Sequence, residues 1–305
     1  MIPKTLPVFD LHPEKKAIGP DTLKALKNYS KGVAEAVNFG THVLAELLNT
    51  ASGSDELIPQ LMIFRNILEN LDAVSVLIGE GSIDPCKSLL RVILESILNL
   101  EYILQGDQQR NGLAFLICNY HNELKLCQKL SAGTAQYKQL RSKLRTDKTL
   151  PNDIVPPQIA GLEPHIETIK RMIALPMYQQ VETEYQRLFL LTKRSPAWHQ
   201  LFNGPVSIEQ LANHLNREGL YEVLYRGWSG SVHGVDILKG KFAMDEGHFT
   251  ITQVRDLQDL KMVTQYACSL ALITYRIGIK KKAPHYQKNL DGWYKTYRDF
   301  FTSLC

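Results

Sequence analysis

Apolar residues recur at spacings of three and four along most of the chain, the repeat that turns one face of an α-helix toward a core. Leu61, Phe64, Leu68, Leu71, Val74 and Ile78 carry it through a segment that opens at Ser54-Asp55 and stops at Gly79-Glu80-Gly81. An earlier helix opens at Gly19-Pro20-Asp21, with Asp21 as its cap, and runs to about Thr50. Further helical patterns cover Gln108 to Leu130, Met177 to Lys193, Val254 to Ile279 and the aromatic segment through Trp293 and Phe301. Lys241–Met244 and His248–Ile251, joined by Asp245-Glu246-Gly247, read as a hairpin. The prediction is an all-α fold, one helical domain over residues 1–305 with a small peripheral β-hairpin. Prolines make residues 1–19 an extended arm and residues 149–165, around Pro156-Pro157, a connection or lid.

The segment from about Ile83 to Leu104 is apolar around most of its circumference, which predicts a central helix. Ser88, Arg91, Glu95, Asn99 and Tyr102 nevertheless draw one polar line along it. A buried helix keeps such a line only where something satisfies it. Either Arg91 and Glu95 form an internal ion pair, or the line is the wall of a polar cleft.

The least ordinary chemistry lies in Tyr221 to Gly234. Read as one helix, this stretch brings Glu222, Arg226, Ser229 and His233 to one face, with Arg226 and His233 two turns, about 10 Å, apart. An arginine and an imidazole so placed can close on one phosphate, giving charge stabilisation and proton transfer. Gly227, Gly230 and Gly234 each cost a helix interior about 1 kcal/mol against alanine, which fits a close approach by a backbone or ligand. The plainer alternative pairs Arg226 with Glu222 at i,i+4 and leaves His233 to cap or pack a helix end.

Composition narrows the classes. A net charge of +4 permits nucleic-acid binding without demanding it. Five scattered cysteines with no C-x-x-C suggest reduced thiols in a cytoplasmic protein, and no apolar run predicts a membrane span. Cys118 and His121 share a helical face but make a weak zinc case, so core packing is preferred and no metal or cofactor is expected. Lys138, Arg141 and Arg145 share a face that is either solvated or suited to phosphate contacts. The aromatics of the last helix, interleaved with Lys288, Lys295 and Arg298, favour a docking face over base stacking. Gly227-Trp228-Ser229-Gly230-Ser231 misses G-x-S-x-G at its fifth position, and phosphate-loop and zinc-protease motifs are absent.

Arg226 and His233 resemble the R-x(4-6)-H signature of the HEPN superfamily, many of whose members are metal-independent ribonucleases used as toxins or in antiphage defence. More of the chain is similar to a narrower HEPN-like bacterial family, domain of unknown function 5677. Cys86 to Leu104 looks like its apolar helix with Arg and Glu at i,i+4, and Tyr225 to His233 like its later tyrosine, serine and histidine element. The similarity covers about Ile83 to Leu130 and Tyr221 to Ile279, and departs from the family's look at Gly234, where proline is more familiar.

The resemblance implies a multi-helix HEPN-like bundle with its core at 83–279, and a metal-independent endoribonuclease that leaves a 2′,3′-cyclic phosphate. His233 would take the 2′-hydroxyl proton and Arg226 would stabilise the phosphate charge. Ser229 would hold a phosphate oxygen or orient the imidazole, Glu222 lies on the same face, and Arg91 with Glu95 would position the pair. RNA, tRNA included, would be guided by Lys138, Arg141 and Arg145. A homodimer with a composite cleft and an antitoxin or defence-system partner are the implied associations. The competing expectation is a non-catalytic helical module that binds a nucleotide, RNA or protein as a sensor or regulator.

Overall fold

The computed structural model describes residues 18–50, 57–151, 153–157, 159–230, 241–245 and 248–303. Residues 1–17 of the predicted arm at 1–19 and the second helix's opening at Ser54-Asp55 lie outside these residues. In class the fold is all-helical: α1 (Pro20–Thr50), α2 (Ile58–Gly79), α3 (Asp84–Ile103), α4 (Gln108–Leu130), α5 (Ala135–Thr146), α6 (Leu162–Ile173), α7 (Gln179–Thr192), α8 (Ile208–His214), the short α9 (Glu218–Leu220), α10 (Leu260–Lys282) and α11 (Gln287–Ser303). Phe242–Asp245 pairs antiparallel with His248–Ile251, Phe242 opposite Ile251, and residues 246–247 between them are outside the described set. Among the described residues no helix is long and apolar enough to cross a membrane.

The chain gathers into two compact units, Met1–Gln105 with Ile208–Cys305, and Gly106–Ser207. In the first, α2 packs between α1 and α3, and α10 closes on all three. Leu71, Val74 and Ile78 of α2 and Leu90, Ile93, Leu94 and Leu98 of α3 are fully buried, each worth about 2 kcal/mol against exposure. This is the central position that the apolar circumference of α3 predicts, with Val92 its exposed exception. Pro85 is tolerated in the first turn of α3, where its missing N–H has no partner to lose. Lys87 in that turn pairs with Asp84 at 2.9 Å and with Asp259, just before α10, at 2.6 Å.

The first unit's helix ends follow local chemistry. The helical pattern from Val254 is realised only from Leu260, because the Asp256 side chain accepts the Gln258 N–H in a turn that holds the backbone out of the helix. Tyr275 of α10 is fully buried and donates its hydroxyl to the Ala36 carbonyl of α1 at 2.5 Å. The aromatic face of α11 docks on α1, with the Trp293 ring stacked on Phe39 at 4.5 Å.

In the second unit α4 carries α5, α6 and α7. Cys127, Leu162, Ile166 and Ile169 make a small buried cluster there. Asp107 caps α4 by accepting the Arg110 N–H, and Thr134 caps α5 by accepting the Tyr137 N–H, both at 3.0 Å. The described part of the proline-rich stretch between α5 and α6 contains no helix.

Candidate functional site

Tyr221–Arg226 is a π-helical turn, not the α-helical start that the sequence pattern predicts. The Gly227 N–H reaches back five residues to the Glu222 carbonyl at 2.8 Å. A wider turn advances each residue by less than 100°, so face arithmetic that assumes an α-helix fails across it. Gly227 has a local cause: a Cβ there would collide with the Val223 carbonyl oxygen. After the turn Trp228 meets Tyr266 of α10 edge to face, 5.5 Å between centroids, and Ser229 is half-buried beside it. His233 and Gly234 lie outside the described residues.

Arg226 is exposed and held by two carboxylates, Nη1 to Glu222 Oε1 and Nη2 to Glu209 Oε1, each at 2.9 Å. Those carboxylates raise its pKa further, and the guanidinium lies 5.6 Å from the Tyr221 ring centroid. The i,i+4 pair with Glu222 therefore forms. Glu209 is a partner that the spacing gives no hint of, because it comes from α8.

The polar line on α3 faces this same segment through other residues than Arg226. The Arg91 guanidinium is buried and lies over the Tyr225 ring, 4.2 Å from its centroid. Among the described residues Arg91 Nε is buried with no hydrogen-bond partner, and no ion pair joins Arg91 to Glu95. Burial raises the Glu95 carboxyl above its ordinary range, and the charge of Arg91 pulls it back in part. Farther along α3, Tyr102 meets the His214 ring edge to face at 5.4 Å, and Glu101 accepts Arg217 Nε and Nη2, both at 3.0 Å.

Arg217 is delivered there by the end of α8. The Arg217 N–H bonds the Ala212 carbonyl at 2.8 Å and the Asn216 N–H bonds Asn213 at 3.0 Å, with Asn216 left-handed at φ 56°. This is a Schellman ending with asparagine in the place glycine usually takes. Beyond the Glu101–Arg217 pair opens a cleft of about 360 Å³ that Arg276, Lys280 and Lys281 of α10 also line. The cations of this cleft were legible only as scattered residues, since tertiary packing alone assembles them, and Tyr225 was legible as part of the Tyr225–His233 element but not as the ring that Arg91 covers.

Lys138, Arg141 and Arg145 are exposed on α5, in the second unit, where no side chain of that helix is fully buried. Cys118 is buried, and His121 bonds Glu182 at 2.7 Å. No cluster of three metal-ligating side chains occurs among the described residues. Burial pushes the thiols of Cys86, Cys118 and Cys268 up to about 12, so none of the three is a nucleophile near neutral pH.

A family model described as Family of unknown function (DUF5677) matches residues 58–249. That span contains Arg91, the π-helical turn and His233. No curated protein and no solved structure matches the chain.

Proposed function

The chain belongs to that family of unknown function, and from this premise we propose that it is a metal-independent endoribonuclease of HEPN type, built around Arg226 and His233. The observation that carries the reading is the π-helical turn Tyr221–Arg226, which stacks Tyr225 on a buried and incompletely bonded arginine. Turns of this kind occur often at functional sites. A buried guanidinium with an orphaned N–H suits a place where an anion completes its bonding.

In this reading His233 removes the proton of a 2′-hydroxyl, whose oxygen attacks the adjacent phosphorus. The bond to the 5′ oxygen breaks, the departing oxygen takes a proton from water, and a 2′,3′-cyclic phosphate and a 5′-hydroxyl remain. Arg226 exchanges Glu209 or Glu222 for the phosphate and stabilises the charge that builds there. Arg91 fixes Tyr225 and through it the position of Arg226, while Ser229 offers a hydroxyl to a phosphate oxygen. Lys138, Arg141 and Arg145 contact RNA phosphates, and two copies of the chain form the cleft together. A role as a toxin or antiphage effector with a cognate partner belongs to the same proposal.

The test is incubation of the protein with total tRNA in EDTA beside His233→Ala and Arg226→Ala. The reading requires cleavage that leaves cyclic phosphate ends, survives chelation and disappears in both variants. One observation favours the second reading, a non-catalytic RNA-binding or regulatory module: the two carboxylates already satisfy Arg226. That module would bind RNA in wild type and variants alike, with no new ends.

A further inference from the structure

We propose that the second compact unit carries a binding site for a nucleoside di- or triphosphate in the cleft between α4, α5 and α7. This cleft of about 480 Å³ is of the size that small-molecule sites occupy. Lys125 and Lys129 of α4, Lys143 of α5 and Lys193 after α7 line it, and no carboxylate among the described residues does. None of these four ammonium groups forms an ion pair with a described residue, although the unit holds many acids elsewhere. Four unpaired cations around one concave surface select a ligand with several negative charges, and lysine is a point-charge phosphate binder.

The cleft's other groups select a planar ring. His121 and Tyr185 are stacked at 3.9 Å and 4°, and Phe189 continues the same tilt at 6.3 Å and 6° from Tyr185. Phe189 is more than one-third exposed and lines the cleft, which offers a ring for a flat group to stack on. The amides of Gln128 and Gln139 can each donate to and accept from a base edge. The His121 ring is fixed from behind: Nε2 bonds Glu182, which also accepts the Gln186 amide at 2.7 Å. Lys193 is set at the rim by its left-handed backbone, φ 55°, where its N–H bonds the Phe189 carbonyl at 2.8 Å.

The face of α5 that enters this cleft carries Gln136, Gln139 and Lys143. At 100° per residue Lys138, Arg141 and Arg145 fall on the opposite side of that helix. The site is therefore separate in residues from the RNA contacts proposed above, and it stands without them.

Titration calorimetry on the whole chain with ATP and GTP tests the proposal, with adenosine, tripolyphosphate and a single-stranded RNA oligonucleotide as separate arms. Expected is saturable nucleotide binding that weakens with salt and drops by about tenfold or more in Lys125→Ala/Lys143→Ala. Phe189→Ala should lose about fivefold or more for ATP and leave tripolyphosphate unchanged. Lys170→Ala, an exposed lysine of the same unit outside the cleft, should bind as wild type, and circular dichroism checks that each variant folds. Absence of nucleotide binding would overturn the proposal, as would binding untouched by the lysine variant, tripolyphosphate binding as tightly as ATP, or capture of the RNA alone through these lysines.

Discussion

The guanidinium of Arg91 lies 4.2 Å from the centre of the Tyr225 ring, buried, with its Nε hydrogen unclaimed by any described residue. A cation stacked on a ring in a partly desolvated place gains about 0.5–2 kcal/mol. Tyr225→Leu should therefore destabilise the wild type by about 1 kcal/mol, and much less in an Arg91→Met background. Urea denaturation of the four proteins in the cycle measures this coupling. Because apolar replacement of a poorly paired buried charge is often neutral, Arg91→Met alone should keep the fold while reducing RNA cleavage.

Gly227→Ala should lose about 1–3 kcal/mol of unfolding free energy, although alanine is the better helix former by about 1 kcal/mol. The added methyl meets the Val223 carbonyl oxygen, a backbone atom that cannot swing aside. A more stable variant in chemical denaturation would mean that the turn relaxes to an ordinary α-helix without cost.

Much of the fold was legible because it rests on period alone. The apolar rows of α2 and α3 predict two of the helices that fill the first unit's core, and the aromatic row of α11 its docking on α1. The polar line of α3 showed that something must satisfy it, but not that Tyr225 would be what Arg91 meets. The individual contacts were not legible, for a physical reason: a one-residue slip of hydrogen bonds from i+4 to i+5 leaves no mark in composition, yet it re-aims the side chains of the turn itself, Glu222 to Arg226. Tyr225, and not Arg226, consequently meets Arg91. The cationic cleft of the second unit draws Lys125, Lys143 and Lys193 from three separate stretches, so no single stretch announces it.

Glu209→Gln combined with Glu222→Gln releases Arg226 from both of its partners. All three side chains are about half exposed, so stability should hardly change. RNA affinity should rise, most at low salt, as a free guanidinium and two fewer negative charges meet the phosphate backbone. Fluorescence anisotropy with a labelled RNA reads the change, and unchanged affinity would separate Arg226 from RNA binding.

Acid stability should depend on Glu182. Burial raises its carboxyl pKa, but hydrogen bonds from His121 and Gln186 and the charge of His121 outweigh that and hold it below the ordinary range. A carboxyl depressed in the folded state contributes stability that is complete above its unfolded pKa, about 4.3, and is lost as pH falls through the lower folded value. Glu182→Gln should be less stable than wild type at neutral pH and should approach it below about pH 4. Denaturation midpoints across pH 3 to 7 check the convergence, using roughly unit steps.

The most direct test of the ribonuclease reading uses one oligonucleotide in two forms, all-RNA and the same sequence with every 2′-hydroxyl methylated, each incubated with the protein in EDTA. The expected result is that the RNA is cut to products ending in 2′,3′-cyclic phosphate while the methylated strand stays whole, because the attacking oxygen no longer carries a proton for His233 to remove. Equal cutting of both strands, or cutting that appears only when a divalent metal is restored, would contradict it.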